Sequence, residues 1–218
     1  MSGNKVKIEP PKIPESLTEA TVSDNEWADG QEISDVIFQE SGVHNQSAYK
    51  LYLDRAVFRN VAFRGTSLRK AELTDVRFEN CDLSNIDLTE LVLHRAVFQN
   101  CKLLGMDLTG STLRNVRFTQ CSADYAVLRF ANAKAVVFDN CSLAKADMSN
   151  MTLSQFFLKQ SNIDGAQFSQ TKLAGIDLSS CEFNGIGATL EDLRRSIISP
   201  GQASVFAANF GLIVKPGE

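Results

Sequence analysis

Cys81, Cys101, Cys121 and Cys141 recur at every twentieth position, and Cys181 resumes the series after Ser161 interrupts it. Thiols are soft metal ligands and, as thiolates, nucleophiles, so a regular set of cysteines is the first place to look for chemistry. The spacing argues against both uses. A zinc site draws its donors onto one point, commonly from cysteine pairs about two to four residues apart. Cysteines so evenly separated, with no histidine beside them, supply no such cluster. The chain has two histidines, His44 and His94, and no nucleophile–base pair can be built around the outward-facing His94. No glycine-rich phosphate loop is present. The expectation is a non-enzymatic protein with no catalytic residue, cofactor or metal, whose cysteines serve as small buried hydrophobes.

Charge is the second candidate for function. The net charge of −4 is unevenly placed. Residues 1–35 hold three Lys against eight Asp/Glu, residues 36–186 hold sixteen basic against fifteen acidic residues, and the remainder balances. No pervasive basic surface marks a nucleic-acid binder. Within the body, residues 50–70 are basic. Residues 71–90 are acidic through Glu72, Asp75, Glu79, Asp82, Asp87 and Glu90. Asp107 and Asp147 fall in the same 20-residue register as Asp87. Three readings stay open for these carboxylates. They pair between neighbouring turns of the chain, a weak interaction when exposed; they bond corner backbone; or they form an acidic patch that meets a basic surface on a protein partner.

The element that positions these residues is a repeat. Every fifth residue from Leu53 to Phe183 gives a series of 27 positions, of which 25 are Leu, Phe, Met or Ile, with Ala123 and Ala133 as the exceptions. Two residues before each lies a small or β-branched one: Ala56, Val61, Thr66, Ala71, Val76, Cys81. Five residues turn an α-helix by about 500°, and five is odd for a strand, so neither element keeps such a series on one face. A chain that bends after every repeat does, and four bends close a square coil of four repeats. The 20-residue recurrence of Phe38, Phe58, Phe78, Phe98, Phe118 and Phe138, and of FENC, FQNC, FTQC and FDNC, supports that closure. The predicted fold is all-β, a right-handed quadrilateral parallel β-helix with coils roughly 4.8 Å apart. The five prolines, at 10, 11, 14, 200 and 216, all lie outside the coils, as a ladder that needs every N–H donor requires.

Three segments follow: an acidic arm and cap over 1–35, the β-helix over 36–186, and a C-terminal cap over 187–218. Residues 1–15 are expected to be disordered or loosely docked, and Trp27, Ile33 and Val36 to close the N-terminal end. Segment 42–52 is the least regular stretch and is expected to bulge or loop. Around 123–137, outward Tyr125, Phe130 and Val137, with Phe157 beyond, either turn inward at a bulge or form an exposed apolar patch. Ser199 reads as an N-cap with Pro200 at the first helical position. A helix over 200–210 follows, its apolar side Ala203, Phe206, Ala207 and Phe210, and then a strand at Leu212–Val214. Phe206, Phe210, Leu212 and Val214 are the candidates for a two-fold contact. The absence of an apolar signal core or a membrane-length apolar run favours the cytoplasm, with no membrane partner.

The repeats CDLSN, IDLTE, MDLTG, ADMSN and IDLSS resemble those of the pentapeptide repeat proteins. The tail NFGLIVKPGE after a short helix is similar to the dimerisation module of the Qnr-like, quinolone-resistance members. The resemblance implies the quadrilateral β-helix and a homodimer through the C-terminus. It also implies binding to DNA gyrase or topoisomerase IV, with protection against quinolones by partial DNA mimicry. The alternative is a structural or scaffolding repeat protein that binds an unrelated protein partner.

Overall fold

The computed structural model describes residues 8–23 and 26–215. Its strands are β1 (Thr18–Glu19), β2 (Glu32–Gln39), β3 (Gly42–His44), β4 (Tyr52–Arg59), β5 (Ala62–Arg64), β6 (Glu72–Glu79), β7 (Val92–Gln99), β8 (Thr112–Thr119), β9 (Asn132–Asp139) and β10 (Thr152–Lys159), followed by helix α1 (Pro200–Asn209). β1, β2, β4 and β6 to β10 form one parallel sheet in that order, and β3 pairs with β5. From β2 onward each residue pairs with its counterpart one coil later, as in Leu73 with Leu93 and Phe78 with Phe98. Isolated bridges such as Asp82 with Lys102 and Asp87 with Asp107 keep the same step elsewhere on the coil. The chain is a four-sided parallel β-helix of about seven turns.

The corners explain the period of five. Asp75, Asn80, Asn85, Glu90, Arg95 and Asn100 all adopt φ between 51° and 60°. Each corner is thus one left-handed residue, which reverses the in–out alternation and lets the next segment again point its first and third residues inward. Asn and Gly suit that conformation and recur there; other side chains cost more. The long strands each cross one such corner.

Inside, the Phe column is a continuous stack. Phe38, Phe58, Phe78, Phe98, Phe118 and Phe138 lie 4.4–4.9 Å apart, centroid to centroid, with rings within 14° of parallel. Isolated rings favour offset or edge-on contacts; here the ladder fixes the step and burial of the rings holds it. The cysteines occupy the small inward positions. Their thiols donate to carbonyls of the Phe column one coil earlier, Cys81 to Phe58 O at 3.4 Å and Cys101 to Phe78 O at 3.5 Å. Thr66, Ser111 and Thr171 make the equivalent bond with a hydroxyl. The Cys column is therefore a core feature with a backbone-satisfying side chain.

Two segments expected to be irregular are regular. Segment 42–52 stays in register: Val43 pairs with Phe63, Ser47 bridges to Ser67, and Val43, Ala48 and Leu51 are buried. Its irregular appearance came from Gln46, an amide at an inward position. Gln46 is fully buried, accepts from Trp27 N–H (2.8 Å) and donates to Ser23 O (2.8 Å) and His44 O (2.7 Å). It ties the N-terminal cap to the first coil, beneath Trp27, whose ring meets Phe38 edge-on at 6.0 Å. Residues 123–137 do not bulge either, since Leu113 pairs with Ala133 and Ala133 with Leu153.

The C-terminal end is closed in the same manner. Bridges continue past residue 186, with Gln167 to Gly187 and Asp177 to Ile197. Ser199 and Gln202 then form a capping box on α1, and Gln202, buried, donates from Nε2 to Leu178 O and Cys181 O, both at 2.8 Å. Phe206 is 9% exposed and packs on Phe183 at 5.4 Å. The side of α1 that meets the coils is thus Gln202 and Phe206, while Ala203 and Phe210 face outward. Leu212–Val214 is not a strand; it is an irregular exposed segment with no ladder partner among the described residues.

Candidate functional site

The regular coil turns sequence numbers into an address, because residues one coil apart stack on one column. Asp87, Asp107 and Asp147 share a column, joined through the bridges Ser67–Asp87–Asp107–Val127–Asp147. Val127 interrupts the acids. The corners at either side of Val127 carry Tyr125 and Phe130, which are 53% and 61% exposed. Leu104, the neighbour of corner Gly105 one coil earlier, is exposed as well. Acids and aromatics therefore meet on one wall, with Leu104 just across the Gly105 corner that bounds it. Of the four residues weighed for a bulge or a patch, Tyr125 and Phe130 form exposed surface, Val137 is buried and Phe157 is half-buried.

The other acidic candidates do not join that wall. Glu72, Asp75 and Glu79 lie on β6, Asp82 on the following wall, and Glu90 at a corner of the same coil. Together they girdle the tower. Most have cationic or hydroxyl partners within the chain. Glu79 pairs with Arg59 at 2.9 Å and Glu90 with Lys70 at 3.5 Å. Asp147 pairs with Arg129 at 3.5 Å and accepts from Ser149 Oγ. Asp87 accepts from the Thr89 N–H and hydroxyl and from Ser67, with Arg69 4.0 Å away. Asp82 accepts from Ser84, and Asp107 from the Thr109 N–H. Both intramolecular readings, rung-to-rung pairing and backbone bonding, describe these groups.

Asp75 is the most enclosed of them. Arg95 donates to it bidentately at 2.6 and 2.7 Å, and the backbone N–H of Lys12 donates at 2.8 Å. Burial opposes ionisation of Asp75, but the Arg95 and Lys12 donors outweigh it and hold the carboxyl below its ordinary value. At Asp87 and Asp82 burial is likewise overcome, by Thr89 and Ser84 respectively, and both titrate low. His94, beside Arg95, has its pKa lowered by burial and then by the guanidinium charge. Burial pushes the Cys181 thiol up to about 11.

Of the two outcomes expected for the N-terminal arm, disorder or loose docking, the described part takes docking. Residues 8–14 lie on the tower, Pro11 is buried, and Glu9 N–H reaches Asn115 Oδ1 at 3.3 Å. The part of that expectation covering residues 1–7 lies outside the described residues. The three early prolines were the available signal, since they favour an extended chain that has little freedom left to lose on docking. Among the described residues no His, Cys, Asp or Glu group is arranged to hold a metal, and no helix is long and apolar enough to cross a membrane.

A family model described as a pentapeptide repeat region matches residues 71–148 and 91–168. The tower is built of pentapeptide repeats. No curated protein matches the chain in sequence. Similar solved structures include HetL, a pentapeptide repeat protein involved in heterocyst differentiation regulation from the cyanobacterium Nostoc sp. strain PCC 7120. It is 19% identical, with 82% of this chain and 93% of that one covered and a TM-score of 0.44. Full-length QnrB1, a plasmid-mediated fluoroquinolone resistance protein, is 17% identical, with 81% and 100% covered and a TM-score of 0.40. In the pentapeptide-repeat tower of this chain, function has to be sought in outward columns and ends, since the inward positions are spent on packing.

Proposed function

We propose that the chain is a non-enzymatic rod that recognises a protein partner through the wall between the Tyr125 and Phe130 corners. The observation that carries this reading is two exposed aromatic side chains at left-handed corners (φ 59° and 60°). The conformation disfavours them and solvent gains nothing from them, so their use lies in contact with another surface. Asp107 and Asp147 flank the pair and supply a polar rim. The rod works as a cytoplasmic homodimer joined at its C-terminal end, where Phe210, Leu212 and Val214 are exposed. Phe206 contributes indirectly, by fixing α1 on Phe183.

The resemblance of the repeats and tail to Qnr-like proteins points to DNA gyrase or topoisomerase IV as the partner. Because the acids are largely matched by neighbouring Arg, Lys, Ser and Thr, the contact is a direct protein–protein one more than an imitation of duplex charge. The test is gyrase supercoiling with ciprofloxacin, with and without the chain at micromolar concentration. Protection or inhibition that Tyr125→Ala/Phe130→Ala abolishes is expected. No effect of the wild-type chain in either direction removes the topoisomerase and leaves a scaffold for an unrelated protein, the reading that the neutral shaft favours.

A further inference from the structure

The N-terminal arm runs along the tower, across the coils. Glu9 N–H bonds Asn115 and Lys12 N–H bonds Asp75, and these two acceptors stand two coils apart on one corner column. Two coils rise about 9.6 Å. Three residues of polyproline II span about 9.3 Å and complete one turn, so residues 9 and 12 point their N–H groups the same way. The match of step and turn explains how a Pro10-Pro11 segment with few free donors is held by two of them.

The surface beneath is suited to such a chain. Next to the corner column runs an outward column of Ile37, Val57, Val97, Val137 and Phe157, broken by Arg77 and Arg117. Val57 and Val137 are buried despite facing outward, as is the corner residue Ala135. Ile8 and Ile13 are half-buried and Pro11 fully so. An apolar outward column, broken by two arginines, beside a corner column that offers Asp75 and Asn115 as acceptors on either side of Arg95 is a groove for an extended chain whose own N–H groups do the bonding.

We propose that this groove is a binding site for extended, proline-containing peptide segments of a partner protein, held shut in the isolated chain by residues 8–14. The acceptors bond backbone N–H groups, so recognition rests on backbone shape and on the three-residue spacing of donors. The groove lies on different walls from Asp107, Asp147, Tyr125 and Phe130, and therefore stands or falls apart from the reading above.

The test uses the full chain and a fluorescein-labelled peptide of residues 8–17. In a Glu9→Pro/Lys12→Pro chain both donors are gone while the extended conformation is kept, so the arm detaches. That chain is expected to bind the peptide roughly tenfold or more tightly than wild type, whose tethered arm competes at high effective concentration. Adding Asn115→Ala should weaken binding, and Lys102→Gln, at an exposed position on another wall, should leave it unchanged. In the wild-type chain, excess peptide should speed hydrogen exchange at the Lys12 amide as the arm is displaced, a readout that does not depend on the variant folding. Equal affinity of the two chains, indifference to Asn115→Ala, or unchanged Lys12 exchange would overturn the proposal. A wild-type dimer that free peptide dissociates would assign the groove to the arm of a second copy and overturn the partner reading.

Discussion

At the scale of single residues, Phe130 poses a conflict between local preference and use. A bulky ring at φ 60° with most of its surface in water has a backbone cost and little packing return. Phe130→Gly should raise stability by about 1 kcal/mol through relief of the left-handed strain. The same change should weaken partner binding. Denaturant melts with a binding assay on one sample check both, and a loss of stability would show the ring to be part of the fold. The carboxylates give a second prediction. Asp75, Asp82 and Asp87 have folded-state values below the ordinary carboxylate value. Their contribution is complete above about pH 3.9, the unfolded reference, and is lost as pH falls through the lower folded values. Melting temperature should drop below about pH 4, and less steeply in Asp75→Asn. A drop of equal slope in that variant would place the acid sensitivity elsewhere.

At the scale of elements, the Phe stack and the corner residues are coupled, since each ring sits on a rung fixed by corners before and after it. Phe98, buried and stacked at 4.6 Å and 4.7 Å on its two neighbours, should cost about 3–5 kcal/mol when changed to Ala. A loss below about 1 kcal/mol on chemical denaturation would mean that neighbouring rings collapse into the gap. The register, the inward columns and the helix cap were legible because period five, the 20-residue recurrence and Ser199-Pro200 are local patterns. Docking of residues 8–14 was one of two outcomes the sequence left open, but its address was not legible, because its bonds run from backbone N–H groups to Asp75 and Asn115, and backbone donors leave no mark in composition. Gln46 misled for the opposite reason: a polar residue at an inward position looked like a broken register and is a cap tie. Leu212–Val214 has the apolar character of a strand but meets no ladder edge among the described residues. For the candidate wall, the alignment of Asp87, Asp107 and Asp147 could be read from the numbering, whereas the pairing of Asp87 with Arg69 and Ser67 and of Asp147 with Arg129 needed three dimensions.

At the scale of the molecule, the exposed tail is the route by which the proposed dimer forms through the C-terminal end. Leu212→Asp should turn the dimer to monomer in sedimentation velocity without altering the melt, because Leu212 is exposed and outside the coils. Unchanged sedimentation would exclude this contact. The two buried glutamines carry a further consequence, for length. A ladder that repeats coil after coil contains no instruction for a last rung; any open end offers the same row of donors and acceptors that the next coil would meet. Gln46 and Gln202 meet that row with side chains, and so act as terminators of a polymer that happens to be made of one chain. With Gln46→Leu and Gln202→Leu together, the carbonyls of His44 at one end and of Leu178 and Cys181 at the other are left bare, and molecules should add head to tail into filaments that scatter light and grow with concentration.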